Sequence, residues 1–158
     1  MKNNFVKAIT TLGLVSSLST VASATDFGMA AGISGNNSSQ IRAIVTLDET
    51  MRLEPYLGFT YRSPDNGISS TNLQLGTAFH LMQPLSDNTK LYYGGYLDFA
   101  TDAPQYNDFN FGPVAGVEYM FAKEFSVAGE VSFNFGFGSG TKISTNTSTV
   151  LRYYFIGL

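Results

Sequence analysis

Residues 125–135 read FSVAGEVSFNF. Phe125, Val127, Val131, Phe133 and Phe135 share one parity, interrupted only by Gly129, while Ser126, Ala128, Glu130, Ser132 and Asn134 share the other. A period of two sustained in aromatic and β-branched residues describes a strand with one apolar and one polar face. The fold turns on where the apolar face goes.

The alternation recurs in eight segments, roughly 26–34, 40–48, 51–62, 71–82, 90–100, 109–121, 125–137 and 148–157. Turn-rich pieces separate them: SGNNSS, DET, SPDNGISS, QPLSDNT, TDAPQYND, AKE and GSGTKISTNTS. No segment carries a 3.6-residue pattern. Short and long connections alternate, as in an up-and-down meander.

Odd positions hold the bulky apolar residues, among them Met29, Ile41, Leu57, Leu75, Leu97, Val117 and Leu151. Even positions hold Arg42, Arg52, Glu54, Arg62, Gln74, His80, Asp98, Asn110, Glu118, Glu130, Asn134 and Arg152. Three features turn the odd face outward. An eight-stranded barrel only just holds its interior side chains, and about thirty bulky apolar residues would overfill it. Gly28, Gly32, Gly58, Gly76, Gly94, Gly112, Gly116 and Gly136 are even, so the polar face is also the cramped one. The odd-face aromatics gather at two rims: Phe79, Tyr93, Tyr119, Phe121, Phe125, Tyr153 and Phe155 at one, Phe59, Tyr61, Phe99, Phe109, Phe111, Phe133 and Phe135 at the other. Two aromatic girdles around an aliphatic belt are the outer surface of a transmembrane β-barrel. The expected fold is therefore all-β, an eight-stranded antiparallel up-and-down barrel in a bacterial outer membrane. Pro55 and Pro113 fall inside strands, where a bulge or an early strand boundary is expected to accommodate the missing N–H.

The ends of the chain agree. Lys2 and Lys7 precede a mildly apolar run that closes on Ala22-Ser23-Ala24, which reads as a signal peptide over 1–24 cleaved after Ala24. One domain, the barrel, then occupies 25–158. Without Lys2 and Lys7, seven basic residues face twelve acidic ones, a balance that argues against a nucleic-acid partner. The chain has no cysteine and hence no disulfide framework, and only 13% of its residues are charged, sparse for a surface facing water.

The ASA cleavage site, the hairpin GPVAGVEYMFAKEFSVAGEVSF and the last strand TVLRYYF together resemble the OmpA/OmpX-like family of small outer-membrane barrels. The resemblance implies insertion into outer-membrane lipid by the barrel-assembly machinery of a Gram-negative cell. It also implies that a C-terminal aromatic residue is the assembly signal. Phe155 would be that residue, with Ile156-Gly157-Leu158 beyond it.

The even-face charges are the candidate site. Glu54, Asp98, Glu118 and Glu130 balance Arg42, Arg52, Arg62 and Arg152, and their heights along the strands predict a crossed salt-bridge network that plugs the lumen. A lipid-modifying hydrolase would need a base beside a serine at the outer rim. His80, the sole histidine, points inward at the other end and reads as a satisfied lumen residue. One histidine and no cysteine give no transition-metal set, and no cofactor is expected. GFGSGTK, residues 136–142, lacks phosphate-loop spacing and reads as a surface loop. Asn36, Asn37, Asp65, Asn66, Asp102, Tyr106, Asn107, Asp108 and Asn146 sit in the longer loops, where a surface ligand could bind. The expected function is non-enzymatic: a plugged barrel serving envelope structure or surface interaction. The alternative is a narrow pore for small solutes or ions; a soluble carrier with the odd face inward fails on volume.

Overall fold

The computed structural model describes residues 26–35, 38–62, 70–102, 106–138 and 140–155, the side chains of Tyr61, Arg62, Ser70, Asp102, Tyr106 and Asn107 excepted. The predicted signal peptide, its cleavage site and the last three residues lie outside that set. The described residues form eight strands: β1 (Asp26–Ser34), β2 (Ser38–Asp48), β3 (Met51–Arg62), β4 (Ser70–Ser86), β5 (Thr89–Asp102), β6 (Tyr106–Met120), β7 (Phe125–Phe137) and β8 (Lys142–Phe155). Each pairs antiparallel with the next, and β1 pairs with β8 from Phe27↔Phe155 to Ser34↔Ser148, closing the barrel.

Tight turns at 49–50, 87–88 and 121–124 mark one end, shared with the start of β1 and the finish of β8; the connections at the other end run between β1 and β2, β3 and β4, β5 and β6, and β7 and β8. Several strands run further than the periodicity indicates. QPLS belongs to β4, so the β4–β5 connection shrinks to Asp87 and Asn88. β8 begins at Lys142, well before residue 148, so most of GSGTKISTNTS is strand and the surface loop of GFGSGTK shrinks to 138–141.

Burial follows parity. Along β7 every odd residue is exposed, and every even residue is buried or half-buried. Met29, Leu75, Leu97, Val117, Val131 and Leu151 stay exposed around the belt, whereas Arg52, Glu54, His80, Asp98, Glu118 and Arg152 are fully enclosed. Among the described residues, Val45 is the one odd-position residue that is buried. A barrel with its charges inside and its aliphatics outside is inverted relative to a water-soluble protein, and only an apolar solvent makes it favourable.

Rings meet at both girdles. Phe121, Phe125, Tyr153 and Phe155 form a chain of contacts at the tight-turn end, with Phe125 and Tyr153 centroids 4.9 Å apart. Phe99, Phe109, Phe111, Phe135 and Phe137 do the same at the other.

Neither proline makes a bulge or ends a strand. Pro55 pairs with Thr77 and Pro113 with Gly95 in unbroken ladders on one side. On the other side the ladder skips the proline, and the register resumes unchanged, at Arg42↔Tyr56 and Val45↔Leu53 for Pro55 and at Phe111↔Phe135 and Val114↔Ser132 for Pro113. Just past β6, Phe121 N donates to the Phe125 carbonyl at 3.2 Å, and the alternation of an antiparallel ladder in the same register aims the odd β6 N–H groups at β7. Pro113 therefore leaves the Phe133 carbonyl without a donor, and the Tyr96 hydroxyl supplies one at 3.3 Å from inside the lumen.

Candidate functional site: the charged lumen

Inward-facing even positions from five strands bring six charges into one cross-section. Arg42 on β2 donates from Nη1 and Nη2 to the two oxygens of Glu130 on β7, each at 2.8 Å, and from Nη1 to Glu54 on β3 at 2.9 Å. Arg152 on β8 donates from Nε to Glu54 at 3.0 Å and from Nη2 to Glu130 at 2.9 Å. Arg52 on β3 reaches Glu118 on β6 at 2.8 Å. Its Nε also lies 2.9 Å from Glu54, with the N–H aimed off that line, so the pair is ionic without a hydrogen bond.

Tyrosines and serines occupy the remaining carboxylate lone pairs. Tyr92 at 2.8 Å and Ser148 at 3.0 Å both donate to Glu130. Tyr154 donates to Glu118 at 2.5 Å, and Ser126 makes a short bond to the same oxygen. The guanidiniums of Arg52 and Arg152 stand 5.1 and 5.0 Å from the Tyr92 ring centroid. Glycine makes room for these rings: a Cβ at Gly76 would lie 2.6 Å from Tyr56 Cζ, and one at Gly116 would collide with Tyr92.

The arrangement differs from expectation at Asp98, His80 and Lys142. Asp98 stands outside the network, accepting from Tyr56 at 2.9 Å and from Gln74 and Asn110 at 2.8 Å each. The Arg62 side chain lies outside the described residues. His80 is buried but not satisfied: neither ring nitrogen has a hydrogen-bond partner, and Nδ1 is 3.6 Å from Glu54, with the ring tilted on Tyr92 at 4.9 Å. Lys142, expected in a connection, sits on β8 and pairs with Asp108 at 3.0 Å on the rim.

Tyr56, Tyr92, Tyr96 and Tyr154 were not singled out by the charge pattern. Their even positions were the available signal, obscured by Tyr92-Tyr93 and Tyr153-Tyr154, where one ring of each pair faces outward.

Atoms of Glu54, His80 and Glu130 that could ligate a metal ion lie within 4.8 Å of one another. Both carboxylates already hold guanidiniums, so a metal ion there would displace Arg42 or Arg152. The same three arginines and three glutamates close the lumen toward the tight-turn end. Above them, toward the longer connections, a polar cavity of about 190 Å³ opens, with Arg42, His80 and Glu130 in its floor and Gln40, Gln74, Asp98 and Asn134 in its wall.

No family model matches the chain, and no curated protein matches it in sequence. In structure it is similar to Neisserial surface protein A (NspA), with a TM-score of 0.61 at 16% identity over 82% of this chain and 95% of that one. It is also similar to the N-terminal β-barrel domain of Pseudomonas aeruginosa OprF, with a TM-score of 0.55 at 13% identity over 82% of this chain and 96% of that domain. Closed eight-stranded topology, an outward apolar belt and these likenesses together give the chain the fold of the small OmpA/OmpX-like outer-membrane β-barrels.

Proposed function

We propose that the protein is a non-enzymatic, closed barrel that anchors the outer membrane or displays its long-loop end to the cell's surroundings. The observation that carries this reading is the Arg42–Glu130–Arg152–Glu54 ring, whose contacts run from 2.8 to 3.0 Å across the lumen. Ions passing it would have to separate buried pairs whose partners are desolvated, and each broken pair strands a charge at roughly 3–5 kcal/mol. Neither nitrogen of His80 is hydrogen-bonded to a hydroxyl, so the histidine is not held as the base of an activated nucleophile. With the tight turns on the inner side, the longer connections face outward, where a surface ligand would meet them.

Single-channel recording of the full chain, folded into a planar bilayer, tests the proposal. Silent insertion, with folding shown by a heat-dependent gel shift, is the expected result. Stable, reproducible current steps would replace it with the narrow-pore reading.

A further inference from the structure

The cavity above the plug carries a charge that the plug does not balance. Glu54, Glu118 and Glu130 are matched by Arg42, Arg52 and Arg152, which leaves Asp98 as a fully enclosed carboxylate with no cationic partner among the described residues. Its three donors, the Tyr56 hydroxyl and the Gln74 and Asn110 amides, are neutral. Arg42 stands 5.9 Å from the centroid of the Tyr56 ring, but its Nη atoms are committed to Glu54 and Glu130. Lys142 is engaged with Asp108 on the rim.

A buried carboxylate held only by neutral donors favours a counter-charge from outside. The cavity beside it, about 190 Å³, is several times the roughly 30 Å³ share of one water and so has room for a small molecule. Tyr56 and Tyr96 present rings to it, and Gln40, Ser132 and Asn134 present amides and a hydroxyl. Two further polar groups there lack partners: Asn134 Oδ1 and both nitrogens of His80, the latter fully buried in the floor.

We propose that this cavity binds a small protonated amine, its ammonium on Asp98 beside the Tyr56 and Tyr96 rings and its polar remainder toward Asn134 and His80. Carboxylate plus aromatic faces is the chemistry that recognises an ammonium group. A hard divalent metal ion fits less well. It needs six or more oxygens, whereas Asp98 already accepts three hydrogen bonds and no second carboxylate of the cavity is free of arginine. The inference is independent of conductance, since an amine can occupy the cavity whether or not the plug below it leaks.

The test is calorimetric titration of the full chain, folded in maltoside micelles at low salt, with ethanolamine, with ethylene glycol as its uncharged counterpart, and with calcium chloride. Saturable one-site heat for ethanolamine alone is expected. Asp98→Asn should weaken it roughly tenfold or more, the loss of a charged hydrogen-bond partner. Ser132→Leu, which fills the cavity and leaves Asp98 in place, should abolish it and decides the matter if Asp98→Asn does not fold. Absence of saturable heat with ethanolamine, equal binding of ethylene glycol, saturation by calcium instead, or unchanged affinity in either folded variant would each overturn the assignment.

Discussion

Arg42 grips Glu130 with both ends of its fork, Nη1 to Oε1 and Nη2 to Oε2 at 2.8 Å each, although 88 residues separate them in the chain. The pair staples β2 to β7 across the lumen, between strands that share no ladder. Glu130→Ala leaves Arg42 and Arg152 with Glu54 as their one remaining shared carboxylate and an unbalanced positive charge in the lumen. We expect a loss of roughly 3–5 kcal/mol, measured by urea unfolding in lipid vesicles. Arg42→Ala combined with Glu130→Ala should cost less than the sum of the single changes, because the removal of both partners strands fewer charges.

The outward belt predicts a dependence on depth. Val131 lies on β7 between the girdle residues Phe125 and Phe135, and is 41% exposed. Val131→Arg should destabilise the membrane-inserted barrel by about 2–4 kcal/mol. Ile143, paired with Phe135 at the rim, should tolerate arginine at about 0–1 kcal/mol. Equal costs at the two sites would contradict an apolar belt between the rings.

Two nearby glycines on β6 and β7 should respond in opposite directions. Gly116 faces the lumen, where a Cβ would strike the Tyr92 ring and lie 2.7 Å from the Gly129 carbonyl. Gly129 faces outward, with nothing within 4 Å of its virtual Cβ. Gly116→Ala should cost about 1–3 kcal/mol through overpacking. Gly129→Ala should be neutral or stabilise by about 0.4–1 kcal/mol, since it removes unfolded-state freedom alone. Midpoints of denaturant unfolding for the two variants check both signs.

Tyr96 and Pro113 should be coupled through a third residue. The tyrosine hydroxyl donates to the Phe133 carbonyl, which faces the ring nitrogen of Pro113 and receives nothing from it. Tyr96→Phe should cost about 0.5–1.5 kcal/mol. The same change in a Pro113→Ala background, where a backbone N–H is restored, should cost measurably less. A full cycle of the four proteins reads the coupling directly.

Most of the barrel was legible because apolar and polar residues alternate wherever one face meets lipid. β8 shows the limit. From Lys142 to Ser148 its lumen face carries Lys142, Ser144, Asn146 and Ser148, and its outer face carries Thr145 and Thr147 after the single apolar residue Ile143. Polar residues on both faces leave no period to detect, and the segment is strand because Phe133 and Phe135 on β7 pair with it. Within the lumen, parity identified which charges point inward, but not who meets whom. Partners depend on strand stagger, which lifts Asp98 away from the arginines and among Tyr56, Gln74 and Asn110. His80 was misjudged because inward direction says nothing about whether a donor or acceptor waits there.

The distribution of the plug along the chain has a consequence for assembly order. The β2–β3 hairpin brings Arg42, Arg52 and Glu54, an excess of one positive charge; β6–β7 brings Glu118 and Glu130, two negative; β8 brings Arg152. Neither of these two hairpins is neutral by itself, and the sum reaches zero only when the last strand arrives. Dehydrating the interior is therefore costly until β8 docks on β1. The charges act as a completion check, keeping an unfinished barrel wet and the last ladder the step that commits the chain to its closed form.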